Sequence, residues 1–132
     1  MKLKRLLPSA LLGLLISGAL TSCTDYVLEK PVVVVPDSVK FVANIVPIFN
    51  LSCNKSPCHA KGGQAPDLSA LNAYTSLTFY GFVDADAAAS DSLYAKSSPL
   101  YIKITSGSMK DKATDQDRAL ILKWIQQGAL DN

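Results

Sequence analysis

Histidine, methionine and tryptophan are scarce in this 132-residue chain, which has one His, two Met and one Trp beside three Cys. A single His leaves no spare imidazole for general-base work. No activated nucleophile and no glycine-rich phosphate loop is present either, so the chain does not read as an enzyme. An excess of one charge is also missing. Thirteen Lys and Arg stand against eleven Asp and Glu with no basic stripe, which excludes nucleic acid as a partner. Asp84, Asp86 and Asp91 cluster, but their stretch lacks the Gly and the terminal Glu of a calcium loop, and a solvated loop is expected there. Repeats and low-complexity tracts are absent. No apolar run after residue 22 is long enough to span a bilayer.

What is present begins with a basic n-region, Lys2, Lys4 and Arg5, followed by an apolar run from Leu11 to Leu20. The run is short for a transmembrane helix and reads as a signal peptide. It ends in Leu20-Thr21-Ser22-Cys23, which resembles the lipobox of bacterial lipoprotein precursors. That resemblance implies cleavage before Cys23 and a lipid on its sulfur, an incidental Cys after an ordinary secretory signal being the alternative. The mature chain would then have 110 residues, with ten basic and eleven acidic groups and a net charge of −1. A cytosolic location is excluded. Thr24 is not the acidic residue associated with inner-membrane retention, so the expected location is the cell envelope, on the outer membrane facing the periplasm. The expected division is a signal peptide over 1–22, a lipidated N-terminus and tether over 23–36, and one domain over 37–132.

Within the tether, Val32 to Val35 lie between Pro31 and Pro36, which favours an extended patch or an edge strand. Asp37-Ser38 offers N-cap chemistry ahead of Phe41, Ile45 and Phe49, spaced by four on one helical face, with Pro47 expected to kink the helix or start a new turn. Leu68, Leu71, Tyr74 and Leu77 predict a second helix. Ser98-Pro99 predicts a third, ended by Gly107. Thr114-x-x-Asp117 resembles a capping box opening a fourth, with Leu120, Ile121, Trp124 and Ile125 as its apolar face and Gly128 as its C-terminal cap. The expected fold is all-α, about four short helices around one core.

With Cys23 set aside, Cys53, Cys58 and His59 remain as Cys-x4-Cys-His. A disulfide between the two Cys would close a six-residue loop and stabilise by about 2 kcal/mol, but it needs no His. A structural zinc site wants four ligands, and a thioredoxin-type pair wants Cys-x-x-Cys. Covalent haem attachment uses all three residues. Two thiols reach the two vinyl groups, and the adjacent His lies under the iron as proximal ligand. The two residues beyond the usual spacing would be looped out, and Asn54, Ser56 and Pro57 suit a turn. Met109, the one Met of the mature chain, follows His59 by 50 residues in a polar loop. Its thioether could complete six-coordination and raise the reduction potential, a surface Met being the alternative. Phe41, Phe49, Tyr74, Tyr101 and Trp124 could wall a porphyrin or serve as ordinary core.

Ile45-Val46-Pro47-Ile48-Phe49 followed by this cluster resembles the haem-attachment region of small mono-haem cytochrome c domains, in which Cys-x4-Cys-His spacing is not unusual. Asp67-Leu68-Ser69 with Tyr74, Ser98-Pro99-Leu100-Tyr101, Met109 and Trp124-Ile125-Gln126-Gln127-Gly128-Ala129 follow in the family's order, over residues 39–132. The resemblance implies a class I, cytochrome c-like fold whose N- and C-terminal helices cross near one covalently attached haem c. It implies thioethers at Cys53 and Cys58, and His59 and Met109 as axial ligands of the iron. The family usually has Pro after the distal Met; this chain has Lys110. Lys110 itself, another side chain or an open position are therefore alternatives to Met109.

The function so implied is a lipid-anchored cytochrome c passing single electrons between periplasmic or membrane redox partners, such as a dehydrogenase or oxidase. Lys55, Lys61, Lys110 and Lys112 would form a basic rim for an acidic partner or else a plain solvated surface. The rivals are a haem-free lipoprotein binding module stapled by a Cys53–Cys58 disulfide and a haem sensor or gas binder with an open sixth position.

Overall fold

Pro47 decides how the first helix is wound. Proline has no N–H, and its ring crowds the carbonyl four residues back. A π-helical turn, Phe41–Ile45, comes first, and an α-helix, Val46–Ser52 (α1), then carries Pro47 in its first turn, where a missing N–H costs nothing. This computed structural model describes residues 29–132. The signal peptide, Cys23, Thr24 and the start of the tether lie outside the described residues.

The cap expected at Asp37-Ser38 does not form. Lys40 is the N-cap residue and makes no side-chain cap bond. The free N–H groups of the first turn are met from the far end of the chain instead: Asn132 accepts from Phe41 through Oδ1 and from Val42 through its main-chain carbonyl, each at 2.9 Å. Gln127 adds a bond from the Val39 N–H to its Oε1 at 2.9 Å. Phe41, Ile45 and Phe49 are all buried, as their spacing predicts, and Val42 on the opposite side is exposed.

The chain then forms five more helices: Ala73–Phe79 (α2), Ala85–Ser90 (α3), Tyr94–Ser97 (α4), Pro99–Thr105 (α5) and Asp115–Gln126 (α6). A 3-10 turn, Lys110–Lys112, lies between α5 and α6. No strand occurs among the described residues, and no helix among them is long and apolar enough to cross a membrane. The all-α reading holds at that level, with six α-helical segments where about four were expected.

The first of the two additional helices, α3, has a local cause. Residues 83–92 were expected as a loop, but Asp84 caps α3 by accepting from the Ala87 N–H at 2.9 Å. The alanines that follow are the strongest helix formers. Asp91 is likewise occupied, accepting from the Leu93 N–H at 2.8 Å. The second predicted helix begins later than its apolar spacing suggests. Leu68 and Leu77 are buried, but Leu71 falls in the turn before α2 and is 96% exposed.

Helix α5 opens as predicted, with Pro99 at its start and the buried Ser98 hydroxyl accepting from the Tyr101 N–H at 3.3 Å. Helix α6 opens with both halves of the Thr114–Asp117 capping box, and Gly128 follows it at φ +94°. Its buried face, Ile121, Trp124 and Ile125, packs on the π-turn and against α3, α4 and α5. The Trp124 and Phe41 rings meet with centroids 5.0 Å apart, and Tyr74 sets its edge against Phe41 at 5.4 Å.

Val32–Asn132 form one compact unit, so the last residues of the expected tether belong to it. The valine patch is neither free nor an edge strand. Gln116 of α6 grips the Val34 backbone at both ends: its Oε1 accepts from the Val34 N–H at 2.9 Å, and its Nε2 donates to the Val34 carbonyl.

Candidate functional site

The cysteine segment is shaped by the end of α1. The Cys53 and Asn54 N–H groups both bond the Phe49 carbonyl, at 2.8 and 2.7 Å, which stops the helix. The Cys53 carbonyl then accepts from Lys55 at 2.8 Å and from His59 at 3.2 Å. Residues 54–58 are thereby looped out, and His59 starts from the backbone level of Cys53. The loop is wider than the two residues expected from the Cys-x4-Cys spacing, since it takes in Cys58 itself.

The next segment folds back over the loop. The Gln64 N–H bonds the Cys58 carbonyl at 2.7 Å, and the Leu68 N–H bonds the His59 carbonyl at 2.8 Å. Gly62 takes a positive φ of 81°, which glycine adopts freely. At Gly63 the backbones pass so closely that a Cβ would lie 2.2 Å from the Cys58 carbonyl oxygen. This return brings two carbonyls to the imidazole. His59 Nδ1 lies 3.0 Å from the Pro66 oxygen and 3.2 Å from the Gln64 oxygen. A carbonyl only accepts, so Nδ1 carries the proton and donates, and Nε2 keeps its lone pair for a ligand. Among the described residues no hydrogen bond uses Nε2. The sequence reading had residues 60–66 as a loop only. Gly62-Gly63 followed by Pro66 was the signal available for a tight backbone return, and the role of the Gln64 and Pro66 carbonyls has no side-chain signature at all.

Met109 is brought in from the other side of the sequence. After α5 the chain doubles back, with the Gly107 N–H on the Ile102 carbonyl at 2.9 Å and the Met109 N–H on the Lys103 carbonyl at 3.0 Å. A Cβ on Gly107 would come within 2.8 Å of the Lys103 Cα, so this reversal also needs glycine.

Cys53, Cys58, His59 and Met109, the four residues singled out from sequence, line one cavity of about 300 Å³. Phe49, Leu68, Leu77, Phe82, Leu100 and Ile104 make its wall largely apolar, as small-molecule and cofactor sites are. Of the five aromatics considered as porphyrin walls, Phe49 alone lines it. Phe41, Trp124 and Tyr74 form the aromatic cluster of the core, and Tyr101 packs on that core elsewhere. Phe82 was not foreseen.

Both Cys53 and Cys58 are free thiols, the first half-buried and the second exposed. Burial pushes the Cys53 thiol up, and the Asp117 and Cys58 charges push it the same way. Among the described residues no three His, Cys, Asp or Glu side chains gather into a group that could hold a metal ion alone. Lys55, Lys61, Lys110 and Lys112 are all exposed. Lys112 lines the cavity together with Lys103, which the sequence reading had passed over.

Two free thiols, an imidazole nitrogen with its lone pair kept available, and a thioether all face one apolar cavity. That donor set is of the kind that could hold a covalently attached haem, with Cys53 and Cys58 as attachment points and His59 and Met109 as ligands to its iron. No protein-family model, no curated protein and no solved structure matches the chain.

Proposed function

We propose that residues 37–132 are a mono-haem cytochrome c-like domain of class I type. We place it on a lipid-anchored protein of the cell envelope, where it passes single electrons between redox partners instead of transforming a substrate. The observation that carries this reading is the convergence of Cys53, Cys58, His59 and Met109 on one apolar cavity. Bound there, haem c supplies a one-electron ferric/ferrous couple.

The chain's own residues would do the rest. Cys53 and Cys58 would hold the haem through thioethers, formed by adding each thiol S–H across a vinyl group, which needs no external oxidant. His59 offers Nε2 while Pro66 and Gln64 hold Nδ1–H, which keeps the ring in one tautomer and makes it a better donor. Met109 would offer its thioether as the second ligand, and a thioether ligand would raise the potential. The apolar wall lowers the polarity of the site, and Lys103 and Lys112 would add positive charge beside it, favouring the reduced state. The exposed Lys55, Lys61 and Lys110 extend that charge toward an acidic partner such as a dehydrogenase or oxidase. A lipid on Cys23 would hold the domain at the outer membrane, facing the periplasm.

The test is an absorption spectrum of protein made in a strain with c-type haem maturation, recorded oxidised and reduced and then after denaturation. Haem retained by the unfolded chain is the expected result. Colourless protein without free thiols in the mature domain would instead establish the haem-free, Cys53–Cys58 stapled binding module. Retained haem whose spectrum is unchanged in Met109→Ala would remove Met109 as a ligand, and an open sixth position would then favour the haem sensor or gas binder.

A further inference from the structure

The segment from Ser106 to Ala113 carries Met109 and is tied to α5 at its start by the main-chain bonds of Gly107 and Met109. Ser106, Ser108, Lys110, Asp111 and Lys112 are exposed, and only Met109 and Ala113 touch the core. After Met109 the main-chain bonds, Lys110 to Gly107 and Lys112 to Met109, stay within the segment and tie it to neither α5 nor α6. One side chain outside the segment restrains it. Arg118, in the first turn of α6, donates from Nε to the Ile104 carbonyl at 2.7 Å, and its Nη2 donates to the Lys110 carbonyl. Its Nη1 donates to Asp115 Oδ1 at 2.9 Å, which orients the fork.

These contacts have a consequence for Met109 in particular. Ile104 is in the last turn of α5, where carbonyls lack helical partners and a positive charge is favourable. Lys110 directly follows Met109. A guanidinium is planar and its donors hold fixed relative positions. By bonding both carbonyls at once, it ties the residue after Met109 to the end of α5 and to the start of α6. Lysine, with one compact head on a flexible stem, cannot hold two divergent carbonyls in the same way.

We propose that Arg118 is the positioning residue for the distal ligand: it straps the Met109 turn to α5 and α6 so that the thioether stays directed at the cavity. The inference rests on the haem reading above and concerns Met109 only. Arg118 does not itself line the cavity, and it reaches the lining only through its bond to the Ile104 main-chain carbonyl.

The experiment compares the haem-loaded wild type with Arg118→Gln, Arg118→Lys and Asp115→Asn. Three readouts are followed: the sulfur-to-iron charge-transfer band, the midpoint potential, and helical unfolding by far-UV circular dichroism. In the wild type the band and the helices should be lost together on heating. In Arg118→Gln we expect the band to bleach while the helices are still folded, with a lowered potential, and in Arg118→Lys a weaker shift of the same sign. Asp115→Asn, which leaves both carbonyl bonds in place, should keep the wild-type band. An unchanged band and potential in both Arg118 variants would overturn the proposal, as would a lowered unfolding temperature with the band still lost only at unfolding. A wild type with covalent haem but no such band would overturn it as well, while the haem reading stood. Absence of covalent haem, seen in the denatured protein, is the separate failure of that reading.

Discussion

His59 and Pro66 are joined by a 3.0 Å hydrogen bond from the imidazole Nδ1 to a backbone carbonyl seven residues further on. The bond exists because Gly62 and Gly63 let the chain return across the Cys58 carbonyl. It sets the tautomer of the protein's only His without using any side chain. In the proposed cytochrome, the proximal ligand is therefore oriented by the same short loop that carries the two thiols.

Gly63→Ala tests that relationship. The added methyl meets a backbone oxygen at 2.2 Å, so the return must shift. We expect a stability loss of about 1–3 kcal/mol, together with a lower yield of covalently bound haem, read by urea unfolding and by the spectrum of the denatured chain. Unchanged stability and yield would mean that the loop has slack the structure does not display.

Asp67 links the same loop to acid. Hydrogen bonds from Ser69, side chain first and then amide, hold its carboxyl below the usual range, with Asn72 and Lys61 helping. A group whose pKa is depressed on folding stabilises the fold above its unfolded pKa, about 3.9 for Asp. That contribution is lost as pH falls through the lower folded value. Unfolding free energy should therefore drop with acidification below about pH 4, and Asp67→Asn should flatten that part of the profile. A variant profile parallel to the wild type would remove Asp67 from the account.

Trp124 closes the core between the π-helical turn at Phe41 and the residues that follow α6. It is buried against Phe41, and its Nε1–H donates to the Leu130 carbonyl at 2.9 Å. Trp124→Ala should cost about 3–5 kcal/mol through the cavity it leaves. Trp124→Phe should cost less, mainly through the lost hydrogen bond, about 1–3 kcal/mol. Trp124 is the only Trp, so chemical unfolding must be followed by far-UV circular dichroism. Equal costs for the two variants would show that the hydrogen bond, not the packing, dominates.

Gln116→Ala should free the valine patch. The two bonds to Val34 are exposed, so the global stability change should stay within about 1 kcal/mol. The Val34 amide, in contrast, should lose its protection in hydrogen exchange. Persisting protection would place the hold on the patch in Val35, which packs on the core.

The sequence determined by itself what local chemistry determines. The Thr114–Asp117 box, the Ser98-Pro99 start and the Phe41, Ile45 and Phe49 face are written in residues three or four apart, and each forms as read. The chemical types of the four site residues were legible for the same reason, since a thiol, an imidazole and a thioether keep their donor character in any fold. What only the tertiary structure decided are the pairings between distant backbones. Asn132, not Asp37 or Ser38, satisfies the first helical N–H groups. The Pro66 carbonyl, which no residue type signals, holds the imidazole. Arg118 bonds the main-chain carbonyl of Lys110, the residue after Met109. Carbonyls and amides are the same at every position, so their partners depend on how the chain closes in space, and an apolar cavity depends on which side chains that closure brings together.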